Sequence, residues 1–394
     1  MLVYEKAYVP CMHLRFILIN MLVLYFLGRP NMNGRERMLT ALRRGTPDKV
    51  PLWELIINEP VIKAICPECS YPDFVELVDM DGATAGEDLR LEEISPGRFK
   101  CEWGILWEKT KDGILYPLKG PLKDRKDILE YQPPDPDAPH RLETLNSLVD
   151  RFKGEKCIVF LGHDSFEFSH YLLGGMGQLF RLYRRDPEAA HILAEKIAEY
   201  KARVMERAVK EGADVLLSGD DYADKTAPFM SPKLFRKFVY PYLKRVVDVA
   251  KRLNVPFIKH TDGNIWKIMD LLIEAGIDAL HPLEPAAGMD ISEVKAKYGD
   301  KIALIGNIDC TIVLPLGSPS DVEEVVKETL AKAAPGGGYI LSSSNSIHPG
   351  VKPENFLAMV RTARKYGVYP LEESFVEKYS KLNYYEKIFS RQKA

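Results

Sequence analysis

The chain has 394 residues, 46% of them hydrophobic, with 54 Lys and Arg against 56 Asp and Glu. This balance excludes the basic footprint of a nucleic-acid binder, and the apolar share suffices for one large core. The six cysteines (Cys11, Cys66, Cys69, Cys101, Cys157 and Cys310) follow no repeat. They make no disulfide framework, so a reducing, cytoplasmic setting is expected.

In chain order, residues 16–27 (FILINMLVLYFL) form an apolar run after Arg15. The run is too short to span a bilayer, and no small-residue cleavage site follows it. Met32-Asn33-Gly34-Arg35-Glu36-Arg37 then starts an amphipathic helix and reads like a protein start. Residues 1–31 are therefore expected to be an extension outside the fold, and no membrane partner is expected.

Apolar runs ending in polar residues predict strands over 50–55, 81–87 and 156–161, then 213–219, 255–260, 278–283, 302–307 and 338–343. Helical periodicity predicts helices over 232–252, 264–276, 290–298, 319–333 and 353–366. Continuous apolar strands alternating with helices imply a parallel sheet covered on its faces. Eight of them imply an α/β fold of the (β/α)8, or TIM, barrel type, spanning 32–368. Cys66-Pro67-Glu68-Cys69 is a lone CxxC and reads as an ordinary loop pair, because no second ligand pair follows. An insertion after the second strand carries a hairpin signal at Asp112-Gly113 within 99–117. A Pro/Asp loop without helix follows over 131–139. In the tail, 369–394, Phe375, Tyr379, Leu382, Tyr385 and Phe389 recur at helical spacing, a stripe for packing on the barrel or on a second subunit. A homodimer is compatible with that stripe.

In such a barrel the polar residues just past the strand ends are the catalytic candidates. They are Glu54, Asp88, His163 with Asp164, Asp220 with Asp221, His260 with Asp262, Glu284, Asn307 with Asp309, and Asn345. Asp164 and Asp309 equally suit helix caps in short loops. His260 and Asp262, two apart on extended backbone, point the same way. They read as metal ligands, as an acid/base pair, or as a structural pair. Asp220 and Asp221 are adjacent carboxylates whose repulsion raises a pKa unless a cation or donor intervenes.

Three segments carry a family likeness. Gly338-Tyr339-Ile340-Leu341 through Ile347-His348-Pro349-Gly350-Val351-Lys352-Pro353-Glu354-Asn355 is the most specific. Ile305-Gly306-Asn307-Ile308-Asp309 and Gly45-Thr46-Pro47-Asp48-Lys49-Val50-Pro51 are the others. In order they resemble the uroporphyrinogen decarboxylase superfamily, which includes zinc-dependent methylcobamide methyltransferases, over about residues 33–368. The resemblance puts Asp88 where the decarboxylase binds pyrrole NH groups, and Tyr171 at the family's active-site tyrosine. Ile56-Ile57-Asn58-Glu59-Pro60 lacks both arginines of the decarboxylase's carboxylate-holding loop. Asn345 stands where the family has a histidine.

In the methyltransferase branch, a His-x-Cys after strand five and a later Cys hold zinc. Here those positions are His260, Asp262 and Asn345. The resemblance is closer to this branch and implies corrinoid-dependent methyl transfer from a small methylated or methoxylated substrate. The corrinoid would be a co-substrate on a partner protein. His260 and Asp262 are then the candidate zinc ligands. His260, Asp262, Asp88 and Tyr171 are the catalytic candidates, with Glu54, Asp220, Asp221, Glu284, Asn307 and Asn345 against the substrate. The alternatives are porphyrinogen decarboxylation and a non-catalytic corrinoid- or ligand-binding barrel.

Overall fold

The computed structural model describes residues 31–111 and 113–393. The apolar run at 16–27 and Asp112 of the predicted hairpin turn lie outside the described residues. The first helix among the described residues, Gly34–Leu42, starts at a capping box: Asn33 Oδ1 accepts from Glu36 N, and Glu36 Oε2 accepts from Asn33 N, both at 2.9 Å. Two orphan amides are thereby satisfied. The helix turns Met38, Leu39, Ala41 and Leu42 into the protein.

Eleven strands follow among the described residues. They are β1 (Gly82–Gly86), β2 (Leu91–Ser95), β3 (Arg98–Cys101), β4 (Leu106–Lys109), β5 (Leu115–Lys119), β6 (Cys157–Gly162), β7 (Val215–Ser218), β8 (Phe257–His260), β9 (Ala279–His281), β10 (Ala303–Ile308) and β11 (Tyr339–Ser343). Seven of them make one curled parallel sheet in the order β1-β6-β7-β8-β9-β10-β11. One face of this sheet buries Val159, Val215, Leu217, Ile258, Ala279, Ile305 and Ile340 together with the first helix. The other face packs under helices such as Pro187–Glu211, Tyr240–Leu253, Pro319–Ala333 and Pro353–Tyr366, as an α/β fold requires.

The strand expected at 50–55 does not form a ladder. Leu52 makes a single parallel bridge with Leu341 instead, and Ile57, just beyond the segment, makes one with Ile347. Trp53 N donates to Leu341 O at 3.1 Å, and Leu341 N donates to Pro51 O at 2.9 Å. On the β1 side, Asp81 N donates to Leu52 O at 2.9 Å. The cause is twofold: Pro51 has no N–H, and Leu52 N donates to the Asp81 side chain at 2.7 Å rather than to a strand carbonyl.

Between β1 and β6 the insertion forms a four-stranded antiparallel sheet, β2-β3-β4-β5. The predicted hairpin is its β4–β5 pair. Residues 131–138 contain no helix. The tail forms two helices, Glu373–Tyr379 and Tyr384–Lys393, and Phe375 stacks on Tyr366 of the preceding helix at 5.6 Å. One expectation is corrected. Cys66 and Cys69 are joined as a disulfide, because the helix Glu59–Ile65 ends in a turn where Cys69 N meets Cys66 O at 3.1 Å. Their Cα atoms lie 5.4 Å apart, within bridging reach. No helix among the described residues is long and apolar enough to cross a membrane.

Candidate functional site

Strand alternation puts a histidine pair at the carboxyl edge of the sheet. Ile258 and Ala279 face the sheet interior, and two residues further along each strand come His260 and His281. The register of β8 against β9 places them side by side, with Nδ1 to Nδ1 at 2.7 Å. Burial holds both below the usual imidazole range, with His260 at about 3, so both rings are neutral.

The far nitrogen of His260 turns toward two carboxylates. Its Nε2 lies 3.7 Å from Asp221 Oδ1 and 3.7 Å from Asp262 Oδ1. A tight turn at Gly263 (φ +82°) brings Asp262 there. A Cβ at Gly263 would lie 2.4 Å from Asp224 O, so no larger residue fits without movement. Asp262 N donates to Asp221 Oδ1 at 2.8 Å, and Gly263 N donates to Glu284 Oε2 at 3.1 Å. Asn345 Nδ2 donates to Asp262 Oδ2. Asp262 Oδ1 is buried and accepts no hydrogen bond among the described residues. Burial, then the charges of Asp221 and Glu284, push the Asp262 acid well above the usual carboxylate range.

One ligand atom from each of Asp221, His260 and Asp262 lies within 4.8 Å of the others. One nitrogen and two oxygens, including an orphaned buried oxygen, are a donor set that fits zinc with a position left open.

Behind His281 the polar contacts continue into the sheet. His281 Nε2 lies 3.4 Å from Ser342 Oγ, which donates to Glu54 Oε2 at 3.2 Å. Ser343 adds its N–H at 2.8 Å and its hydroxyl at 2.6 Å. Glu54 is 1% exposed, and burial pushes its carboxyl up to about 8 against those three donors. The residue expected against substrate is thus enclosed by the serines of β11.

The other candidates divide between this group and its surroundings. Asp220 receives His163 Nδ1 at 2.9 Å, Asp164 N at 3.1 Å and Glu167 N at 3.0 Å. Burial works to raise its pKa, but His163 and Lys259 hold it below the usual carboxylate range. His163, Glu167 and Asp220 also lie within 4.8 Å of one another, though Asp220 is already occupied. Tyr171 hydrogen-bonds Glu167, which accepts weakly from Asp221 N at 3.4 Å, one step from the His260 group. Trp107 of β4 meets the Tyr171 ring edge-on at 5.5 Å, so the antiparallel sheet reaches this edge of the fold.

Asp88 accepts from Thr144 N at 2.9 Å and Thr144 Oγ1 at 2.6 Å, beside the start of the helix Glu143–Phe152. Asn307 Nδ2 donates to Leu283 O at 3.0 Å, and the residue lines a cavity of about 140 Å³ with Tyr385, Lys332 and Asp290. Asp309 lies just before the helix Val313–Leu316 and accepts from the Thr311, Ile312 and Val313 N–H groups. Asp164 accepts from Ser165 and Phe166 N–H groups in the same manner.

Sequence reasoning did not single out His281, Ser342, Ser343 or Glu167. The first was within reach in part, since strand alternation from Ala279 points it inward.

Comparison with known proteins gives a consistent family. Residues 110–366 match the family model of uroporphyrinogen decarboxylase (URO-D). The chain is similar to the uroporphyrinogen decarboxylase of Geobacter metallireducens, 25% identical over 363 residues, covering 84% of this chain and 98% of that one. It is also similar to that of Pseudoalteromonas atlantica, 25% identical over 258 residues, covering 62% and 70%. Among solved structures, a methyltransferase from Methanosarcina mazei shares the fold. Its TM-score is 0.69 at 20% identity, covering 85% of this chain and 99% of that one.

Proposed function

The chain belongs to the uroporphyrinogen decarboxylase family, whose enzymes are decarboxylases or methyltransferases, and we propose that this one transfers methyl groups. The donor would be a small methylated or methoxylated compound, and the acceptor a corrinoid carried on a separate protein. We read the fold as a (β/α)8 barrel in which 50–57 serves as the eighth stave, with the β2–β5 sheet inserted after the second.

One observation carries the reading: the group around His260 is acidic and poor in free cations. Uroporphyrinogen bears an acetate and a propionate on every pyrrole, so a site for it needs fixed positive charge. Here Asp221, Asp262 and Glu284 crowd one histidine. Lys259 is fully buried and held by Asp220 O at 2.8 Å, Ser218 Oγ at 3.1 Å and Asp164 at 3.5 Å. Lys225 reaches only within 4.0 Å of Glu284.

His260 Nε2, Asp221 and Asp262 would hold zinc. Bound there, zinc would supply Lewis acidity that polarises the atom carrying the donor's methyl group. Asn345 orients Asp262, and the Gly263 N–H fixes Glu284 beside it. Tyr171, backed by Glu167, offers a hydroxyl toward the donor, and Trp107 closes that side against water. Asp88 remains a candidate for ligand contact from the edge of the site.

The test mixes the purified protein with a corrinoid protein and a panel of methoxylated compounds and methylated amines. A change in the corrinoid absorption spectrum, lost in His260→Ala, is expected, with about one zinc per chain by metal analysis. The second reading is porphyrinogen decarboxylation, favoured by the curated relatives of that name. Release of carbon dioxide from uroporphyrinogen, with no donor altering the corrinoid spectrum, would establish it and remove methyl transfer.

A further inference from the structure

Glu54, Ser342, His281 and His260 form an unbroken polar line from the buried β11 edge to the group that faces Asp221 and Asp262. Its links are 3.2 Å, 3.4 Å and 2.7 Å. No single strand supplies it. Glu54 lies on the bridging segment, Ser342 on β11, His281 on β9 and His260 on β8. We propose that Glu54 is a positioning residue that acts through Ser342 and His281 to fix the tautomer of His260, leaving a lone pair on Nε2.

The argument is one of donor and acceptor counting. Two neutral imidazoles meeting at Nδ1 need one N–H and one lone pair between them. Above its raised pKa of about 8, Glu54 is an ionised carboxylate and can only accept, from the Ser343 N–H and from both serine hydroxyls. Ser342 then donates its single proton to Glu54 and can only accept from His281 Nε2. His281 must therefore carry its proton on Nε2 and present a lone pair at Nδ1. His260 must donate Nδ1–H into that lone pair, so its Nε2 is bare and faces the two carboxylates. Every link has one polarity, set at the end remote from the ligand. Metal-binding histidines generally have such a partner on the other ring nitrogen, usually a carboxylate in direct contact. Here the carboxylate acts from three residues away.

A glutamine at the remote end inverts the line. In Glu54→Gln the carbonyl oxygen keeps the Ser343 N–H, and the amide N–H2 donates to Ser342. The Ser342 proton then turns to His281 Nε2, His281 donates from Nδ1, and His260 is left protonated on Nε2. The inference rests on His260 as the ligand-facing group and not on methyl transfer as the reaction.

The experiment is ¹⁵N NMR of the histidine-labelled full chain at pH 9, without added metal. Wild type is expected to show His260 protonated at Nδ1 and His281 at Nε2, and Glu54→Gln to show both reversed. Zinc alone, titrated against an indicator at the same pH, is expected to bind Glu54→Gln about 10- to 100-fold more weakly. His260 protonated at Nε2 in wild type, or unchanged tautomers in a folded Glu54→Gln, would overturn the proposal. Should Glu54→Gln not fold, Ser342→Ala is measured instead, and a single unchanged His260 tautomer there overturns it equally. The expected tautomers in a protein that binds no zinc would uphold this inference while removing the metal reading above.

Discussion

Glu54 is an acid enclosed with no cation beside it among the described residues, and its charge state enters the stability. Three donors reach its oxygens, but burial outweighs them and raises its pKa from 4.5 unfolded to about 8 folded. A group raised on folding stabilises fully below its unfolded value, and that contribution is lost as pH climbs to the folded value. Wild type should therefore lose stability relative to Glu54→Gln between about pH 4.5 and 8, by at most about 1.4 kcal/mol per pH unit. Urea midpoints of the two proteins across that range test this. A constant difference would mean that another group titrates there. The buried histidines act oppositely and in a lower window, because their folded values are depressed. The comparison with Glu54→Gln separates the two effects.

At the scale of elements, the insertion carries two tryptophans with different duties. Trp103 is 1% exposed and packs between Phe168 at 4.7 Å and Tyr200 at 4.6 Å, with the Lys201 ammonium 4.9 Å from its ring centre. Trp107 is only partly buried and meets Tyr171. Trp103→Ala is expected to cost about 3–5 kcal/mol, seen as a lowered melting temperature. Trp107→Ala should leave melting nearly unchanged and, on the methyl-transfer reading proposed above, raise KM for the donor. Equal loss of stability in both variants would remove the distinction.

The elements also show what the sequence made legible. The strands that became β6 to β11 were readable because buried parallel strands are continuous apolar runs between helices. The segment at 50–55 has the same apolar character, but its Leu52 N–H donates to the Asp81 side chain, 29 positions away, instead of to a ladder carbonyl. At the site, alternation revealed that His260 and Asp262 share a side. It did not reveal that β8 and β9 align His260 with His281, because register depends on how the strands pack. Asp88 was legible only through family likeness, and its hydrogen bonds go to Thr144.

Over the whole molecule, Asp81 ties together segments distant in the chain. Its carboxylate receives Arg37 at 2.9 Å, Arg364 at 2.9 Å and Leu52 N at 2.7 Å. The first helix, the bridging segment and the helix Pro353–Tyr366 thus share one buried anion. Asp81→Asn leaves two guanidinium groups short of charge and is expected to cost about 3–5 kcal/mol. Hydrogen exchange should then quicken over 34–42 and 353–366 together, and acceleration confined to one of them would argue against a shared tie.

That tie and the single bridges at Lys49, Leu52 and Ile57 make the junction between the beginning and the end of the fold. Glu54 stands on one bank of the junction and its serines on the other. If the two banks part, His281 loses the acceptor that orders it, and the ring of His260 is free to take either tautomer. A ligand that needs the bare nitrogen of His260 would therefore bind better when the junction is shut. By reciprocity, it would hold the first and last parts of the chain together.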